Sequence, residues 1–388
     1  MKEFIVLMAS LMSVVAISID AMMPALGIMG LDLNVQYANQ VQLIIVFIFA
    51  GMTVGHLFWG PLSDAIGRKK VLYAGLFIYT LGSIVCYFAQ NIDVLLFGRI
   101  IQGFGVSAPY VTSVAIVRDK FAGRDMARIM SIVMVFFIPV PAIAPALGQG
   151  ILYIATWRAI FVLYMVMAVL IATWAYFRLP ETLHPEDKIP FNPKAILHGF
   201  GIVFKTRITI CYTIAMGICF GSFLGYLNSC QQIFMEKFAV GEMFAVYFGC
   251  LALTLGVASL LNSRIVAKFG MQHICERSTL AIILFSATFL AVNLMVDVQL
   301  WMFLVFAASI FFAFGLMFGN LNAIAMEPMG HIAGIASAVT GAMSSAMSMT
   351  IGAVIGQLYD GTLIPVVTGF LVLNILTLAM MKAAGRHS

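Results

Sequence analysis

Twelve apolar runs, each long enough to cross a bilayer, constrain this chain more than any other feature. Taken between glycine, proline and charge interruptions, they predict spans near 4–29, 38–62, 71–89, 94–117, 127–150, 157–177, 208–235, 243–263, 278–296, 300–323, 335–357 and 363–381. A membrane helix needs about 20 predominantly apolar residues, and every run supplies them. With 62% of the 388 residues hydrophobic and 10% charged, the chain is far from a soluble domain, which is about half apolar and a quarter charged. The continuous apolar runs also disfavour an outer-membrane barrel, whose strands alternate in polarity. Lys2 before an apolar run imitates a secretion signal, but the run is too long, contains Asp20 and lacks a small-residue cleavage site. It is read as the first span.

The net charge of +5 is a mark of topology and gives no sign of a nucleic-acid partner. With the N-terminus inside, Lys2, Arg68, Lys69, Lys70, Arg118, Lys120, Arg124, Arg128, Arg178, Lys188, Lys194, Lys205, Arg207, Arg264, Lys268, Arg277, Lys382 and Arg386 all fall in cytoplasmic loops. Those are 18 of the 21 basic residues. Only Arg158 and Lys237 fall outside, and Arg99 lies within a span. The positive-inside rule therefore puts both termini in the cytoplasm.

One long polar stretch, 178–207, divides the chain into an N-terminal six-helix bundle (1–178), a linker (179–207) and a C-terminal six-helix bundle (208–388). Equal halves of six spans suit a duplicated transporter whose bundles rock about a midplane site. A sequence echo supports the duplication. Gly60-Pro-Leu-Ser-Asp64-Ala-Ile-Gly67-Arg68 follows span 2, and Ser263-Arg264-Ile-Val-Ala267-Lys268-Phe269-Gly270 follows span 8. Aligning Gly67 with Gly270 sets Asp64 opposite Ala267, so only the first half keeps the acid.

Ionisable groups at membrane depth cost several kcal/mol and are candidate functional residues. Away from the ends of the predicted spans they are Asp20, His56 and Arg99, all in the first half. At 100° per residue, Ser10, Ser13, Asp20 and Pro24 share a stripe of span 1. Arg99, Gln102, Tyr110 and Ser113 do the same in span 4, and Gln42, Thr53, His56 and Gly60 in span 2. Three such stripes can line one water-filled cavity, although His56, near the cytoplasmic end of its helix, reads as structural. In the second half, Ser222, Tyr226, Ser229 and Gln232 share a face of span 7, and Asn320 and Asn322 lie in span 10. These groups suit hydrogen bonding to an uncharged or mixed ligand. Gln42, Gln102, Tyr110, Tyr226 and Asn320 are accordingly the candidate substrate contacts.

The six cysteines show neither C-x-x-C nor metal spacing. Gly103-Phe-Gly105-Val-Ser-Ala108 matches a dinucleotide pattern by chance, since no strand precedes it. No Walker A, H-E-x-x-H or G-x-S-x-G sequence occurs. No catalytic residue, metal site or cofactor is therefore expected. Glycines spaced by four, as in Gly51/Gly55, Gly217/Gly221/Gly225, Gly315/Gly319 and Gly352/Gly356, let helices approach closely. Pro139, Pro141 and Pro145 with Gly148 should kink span 5.

At this point the residues resemble a known family. Gly60-Pro-Leu-Ser-Asp-Ala-Ile-Gly-Arg-Lys-Lys70 looks like the span 2–3 signature of the major facilitator superfamily, and Arg99-Ile-Ile-Gln-Gly-Phe-Gly105 like its span 4 signature. The run 139–150 resembles the antiporter motif of span 5. Asp20-Ala-Met-Met-Pro24 is similar to the acidic motif of twelve-span drug:proton antiporters. Trp157-Arg158-x-Ile-Phe161, Leu179-Pro-Glu-Thr-Leu183 and His331-Ile-Ala-Gly-Ile-Ala-Ser337 further resemble the bicyclomycin/chloramphenicol-resistance (Bcr/CflA) subfamily.

The resemblance implies an all-α membrane protein of the major-facilitator fold, a monomer in the inner membrane. It implies export of amphipathic small molecules by alternating access, driven by the proton gradient. Asp20 would be the proton and cation site, with Arg99 a partner that tunes its protonation. Gly60, Asp64, Gly67 and Arg68, with Arg118 and Asp119, would form a cytoplasmic gate latch, and Pro139, Pro141, Pro145 and Gly148 a helix that prevents leak. Export of one endogenous metabolite or siderophore, or uptake by proton symport, remain alternatives on the same fold.

Overall fold

The structure, a computed structural model, describes residues 1–121, 123–137, 139–189 and 191–385. Arg386 of the basic set lies outside the described residues, as do the side chains of Arg124, Arg128 and His331. Among the described residues all regular structure is helical, and twelve stretches are long and apolar enough to cross a bilayer. In chain order the helices are α1 (Lys2–Asp20), α2 (Leu26–Asp32), α3 (Leu43–Ile66), α4 (Arg68–Tyr87), α5 (Ile92–Lys120), α6 (Gly123–Phe137), α7 (Val140–Ile154) and α8 (Arg158–Arg178). They continue as α9 (Pro193–Lys205), α10 (Arg207–Gln232), α11 (Phe244–Phe269), α12 (Met271–Met295), α13 (Leu300–Met326), α14 (Ala333–Gln357) and α15 (Ile364–Ala384).

The chain divides into two compact units, Met1–Leu197 and His198–Ser388. In the first unit α5 packs against α3 and α4, α8 against α4, and α1 against α5, α7 and α8. In the second, α13 packs against α11 and α12, α15 against α12, and α10 against α13, α14 and α15. The neighbours are the same once six spans are added. Gly67 (φ 108) and Gly270 (φ 79) extend the echo to the backbone. Each ends one helix and begins the next in a left-handed conformation that favours glycine.

Packing inside a bilayer depends on close approach more than on burial from water, and the spaced glycines supply it. A Cβ on Gly51 would meet the Ile100 carbonyl, and one on Gly103 the Ile48 carbonyl, locking α3 onto α5. Gly217, Gly221 and Gly225 face Met347, Ile351 and Ile355 of α14. Of the pair Gly315 and Gly319, only Gly315 is tightly packed, against the Leu255 carbonyl.

Two predicted spans are not continuous helices. Span 5 is divided between α6 and α7, with Pro139 immediately before α7, Pro141 at its second residue and Pro145 within it. Span 1 breaks after Asp20, runs through a short tight turn at Met23–Ala25, and resumes as α2. The cause is Pro24: it has no N–H for the carbonyl four residues back, and its ring crowds that carbonyl. That carbonyl belongs to Asp20.

Candidate functional site

Asp20 is thus the last residue of α1, 6% exposed. Among the described residues no hydrogen bond or ion pair holds its carboxylate. The residues that follow it in the chain, Ala21, Met22, Met23, Ala25 and Met29, are apolar and fully buried. Against this segment comes α7, where a Cβ at Gly148 would collide with the Ala21 carbonyl oxygen. The proline- and glycine-rich helix therefore reaches the backbone next to the acid because Gly148 has no side chain. Ser10 and Ser13 of the same stripe bond back to the carbonyls of Val6 and Ala9.

Arg99 does not pair with Asp20, which corrects the partnership expected of them in its simplest form. Its guanidinium is completely buried and donates from Nε to the Ile44 carbonyl (3.0 Å), from Nη1 to Gln102 Oε1 (2.7 Å) and from Nη2 to the Ser18 carbonyl (3.0 Å). Helix ends leave carbonyls without partners and carry partial negative charge. Arg99 is drawn to such an end, two residues before Asp20, and ties α1 to α3 and α5. Around it Gln102 Nε2 donates to Ser83 Oγ (2.7 Å), Ser18 Oγ and Tyr79 OH are 2.6 Å apart, and Tyr164 OH donates to the Ser18 carbonyl (3.3 Å). The span 4 stripe is consequently packed inside protein, where it knits four helices. Tyr79, Ser83 and Tyr164 escaped the sequence reading, because a tyrosine or serine in an apolar span carries no charge to mark it.

The latch residues come together. Arg68, 2% exposed, donates from Nε and Nη2 to the two oxygens of Asp119 (2.8 and 3.1 Å), and from Nη1 to Asp64 Oδ1 and Ser63 Oγ. Arg118 Nη2 lies 3.7 Å from Asp64 Oδ1. Gly60 lies within α3, its carbonyl accepting from Ser63 Oγ (2.8 Å). Two further members come from the stretch after α8. Glu181 accepts from the backbone N–H groups of Arg68 and Lys69 (3.0 and 3.2 Å) at the start of α4, and from those of Thr182 and Leu183. Thr182 Oγ1 donates to Asp119 Oδ2 (3.0 Å). Gly67 leaves room for this carboxylate, since a Cβ there would lie 2.7 Å from Glu181 Oε2. The sequence Leu179-Pro-Glu-Thr-Leu183 was the available signal, and no role had been read from it.

The candidate substrate contacts are unequally placed. Gln42 is buried at the start of α3, and Tyr110 of α5 lies beside His56 of α3, ring centroids 6.3 Å apart. Neither ring nitrogen of His56 has a partner among the described residues. Gln102 is committed to Arg99 and Ser83. Asn320 is committed to a reciprocal amide pair with Asn262 (3.2 and 2.9 Å) and to the Leu316 carbonyl. Tyr226 stands apart: its hydroxyl is buried without a partner among the described residues, in a cage of Phe223, Phe303, Phe311 and Phe370. Asn228 and Ser229, on the next turn, are likewise buried with unpaired side-chain atoms. Buried polar groups are ordinarily satisfied, so this turn of α10 has unused hydrogen-bonding capacity.

The profile of the Major Facilitator Superfamily matches residues 6–356. The MFS-type transporter YdgK of Bacillus subtilis is 32% identical over 347 residues, 88% of this chain and 85% of its own. The bicyclomycin resistance protein homolog of Haemophilus influenzae is 28% identical, with 92% and 88% covered. Multidrug resistance protein MdtL of Citrobacter koseri is 28% identical over the full chain and 98% of its own length. In fold, the chain is similar to the xylose transporter XylE of E. coli, with a TM-score of 0.74 over 98% of this chain and 96% of that one, at 12% identity.

Proposed function

The chain belongs to the Major Facilitator Superfamily, a multi-pass membrane transporter and not an enzyme, and from that premise we propose that it exports amphipathic drug-like molecules in exchange for protons. The names of its bicyclomycin- and multidrug-resistance relatives support the substrate class. The observation that carries the coupling is Asp20: a buried carboxylate, with no ion partner among the described residues, at a break in its helix. An isolated buried charge costs several kcal/mol, and either a proton or a bound cation removes that cost. Asp20 therefore binds one or the other, and competition between proton and substrate is what an antiporter requires.

In the cycle Asp20 takes a proton from outside and releases it inside as substrate binds. Arg99 keeps the end of α1 in place while the proton comes and goes. The Asp64–Arg68–Asp119 latch favours one arrangement of the cytoplasmic ends, and α7 keeps water from the backbone beside Asp20. The protein works as a monomer in the inner membrane with both termini in the cytoplasm, and needs no cofactor beyond the gradient. One proton moving through 100 mV provides about 2.3 kcal/mol, and each pH unit about 1.4. The total of about 3.7 kcal/mol sustains a gradient of about five-hundredfold for a neutral substrate.

The test is export of ethidium and bicyclomycin by everted vesicles under an imposed pH gradient. Asp20→Asn should abolish gradient-driven movement of both while leaving the protein folded. Full gradient-driven transport by that variant would remove Asp20 from the mechanism.

A further inference from the structure

The Trp157-Arg158 pair has no task in the cycle as described, yet it stands at the far end of the half-helix that begins beyond Asp20. Seven-residue α2 is cut off from α1 by the proline break, and its Ile28 and Leu31 are exposed. At its last residue, Asp32 Oδ2 accepts from both Trp157 Nε1 (3.0 Å) and Arg158 Nη1 (2.7 Å). Arg158 Nη2 donates to the Ala89 carbonyl beyond the end of α4 (3.0 Å), and its guanidinium lies 4.2 Å from the Trp157 ring centroid. An exposed ion pair alone contributes little. Here one carboxylate oxygen holds two donors, one of them from an indole that is 2% exposed.

From Trp157 a ladder of rings runs along one face of α8. Trp157 meets Phe161 edge-on at 6.1 Å, and Phe161 meets Tyr164 at 5.7 Å. These positions, three and four residues apart, stack on one side of a helix. The ladder ends at the Tyr164 hydroxyl, which donates to the Ser18 carbonyl on the other side of the break. One rigid helix thus grips both pieces of span 1, α2 through Asp32 and α1 through Ser18, and Asp20 lies between the two grips. We propose that α8 is a splint across the break, and that Asp32, Trp157, Arg158 and Tyr164 are positioning residues that keep Asp20 enclosed and its proton exchange tied to substrate. The proposal rests on the reading of Asp20 as the proton site.

The experiment uses the full-length protein in proteoliposomes with two readouts. The first is labelling of a thiol introduced by Met29→Cys, at a fully buried position of α2, with a membrane-impermeant maleimide, relative to the same protein without that thiol. The second is proton entry down an imposed gradient with no substrate present. Asp32→Ala should raise labelling at least fivefold and substrate-free proton entry at least threefold. Trp157→Phe, which removes only the indole donor, should raise both by a smaller factor, and Asp32→Glu should stay within twofold of the parent. Adding Asp20→Asn to Asp32→Ala should cancel the extra proton entry and leave the labelling raised. Parent-level labelling and proton entry in folded Asp32→Ala and Trp157→Phe would overturn the splint. Failure of both variants to fold would also overturn it, because the cluster would then be a folding element. Raised labelling together with gradient-driven ethidium export by Asp20→Asn would leave the splint standing and refute the reading of Asp20 instead.

Discussion

Arg99 shows how a buried side chain can stand where its sequence places it and still bond to neighbours that the sequence does not name. A buried arginine in an apolar span must find acceptors, and the family resemblance implied Asp20 as its partner. The backbone offered better ones: the Ser18 and Ile44 carbonyls, with Gln102 Oε1 at the third donor. The existence of the two charged groups was legible in the sequence, but not the partners of Arg99, because backbone carbonyls that accept from a side chain leave no residue-type signature. Geometry also sets the prediction at this scale. The guanidinium reaches three acceptors as a planar fork, which a lysine ammonium cannot reproduce. Arg99→Lys should therefore lower stability by about 3 kcal/mol, at 1–3 kcal/mol for each buried acceptor left bare, read as a fall in thermal unfolding temperature in detergent.

Among the elements, the spans were legible from hydropathy, yet span 1 and span 5 proved to be pieces. The signal for the first break was present in Asp20-Ala-Met-Met-Pro24, where the spacing of four sets the proline against the acid's own carbonyl. An apolar run was read as one helix because hydropathy is blind to a missing N–H. Pro24→Ala should restore helical continuity, raise stability by about 1–3 kcal/mol, and slow transport about tenfold by straightening the segment on which Asp20 turns. Thermal unfolding and initial export rates together test it. The latch is likewise more than its signature, for Glu181 places one carboxylate on the first N–H groups of α4, where the helix dipole favours an anion. Glu181→Gln keeps an acceptor and loses the charge. It should weaken the latch by about 1–2 kcal/mol and alter maximal transport rate more than KM.

For the whole molecule, the duplication is visible as the same neighbour pattern and the same left-handed glycine in both units, while the chemistry is divided. The first unit holds the buried ionisable groups at Asp20 and Arg99. The second holds neutral, unpaired hydrogen-bonding groups among rings at Tyr226, Asn228 and Ser229. Sequence polarity exposed the first set at once and the second only in part, since Asn228 lay off the stripe that drew attention to Tyr226. If coupling and recognition are divided in this way, Tyr226→Phe should raise KM for exported dyes about three- to tenfold and leave the proton dependence of transport as it is. Kinetics at several imposed gradients measure both. The guanidinium of Arg99 has one more consequence. Its partners are two backbone carbonyls and an amide oxygen, and among the described residues no carboxylate pairs with it, so its positive charge is solvated by dipoles and not cancelled. On the proposal that Asp20 carries the proton, that charge would oppose the passage of further cations along any chain of water formed there, as charged constrictions do in water pores.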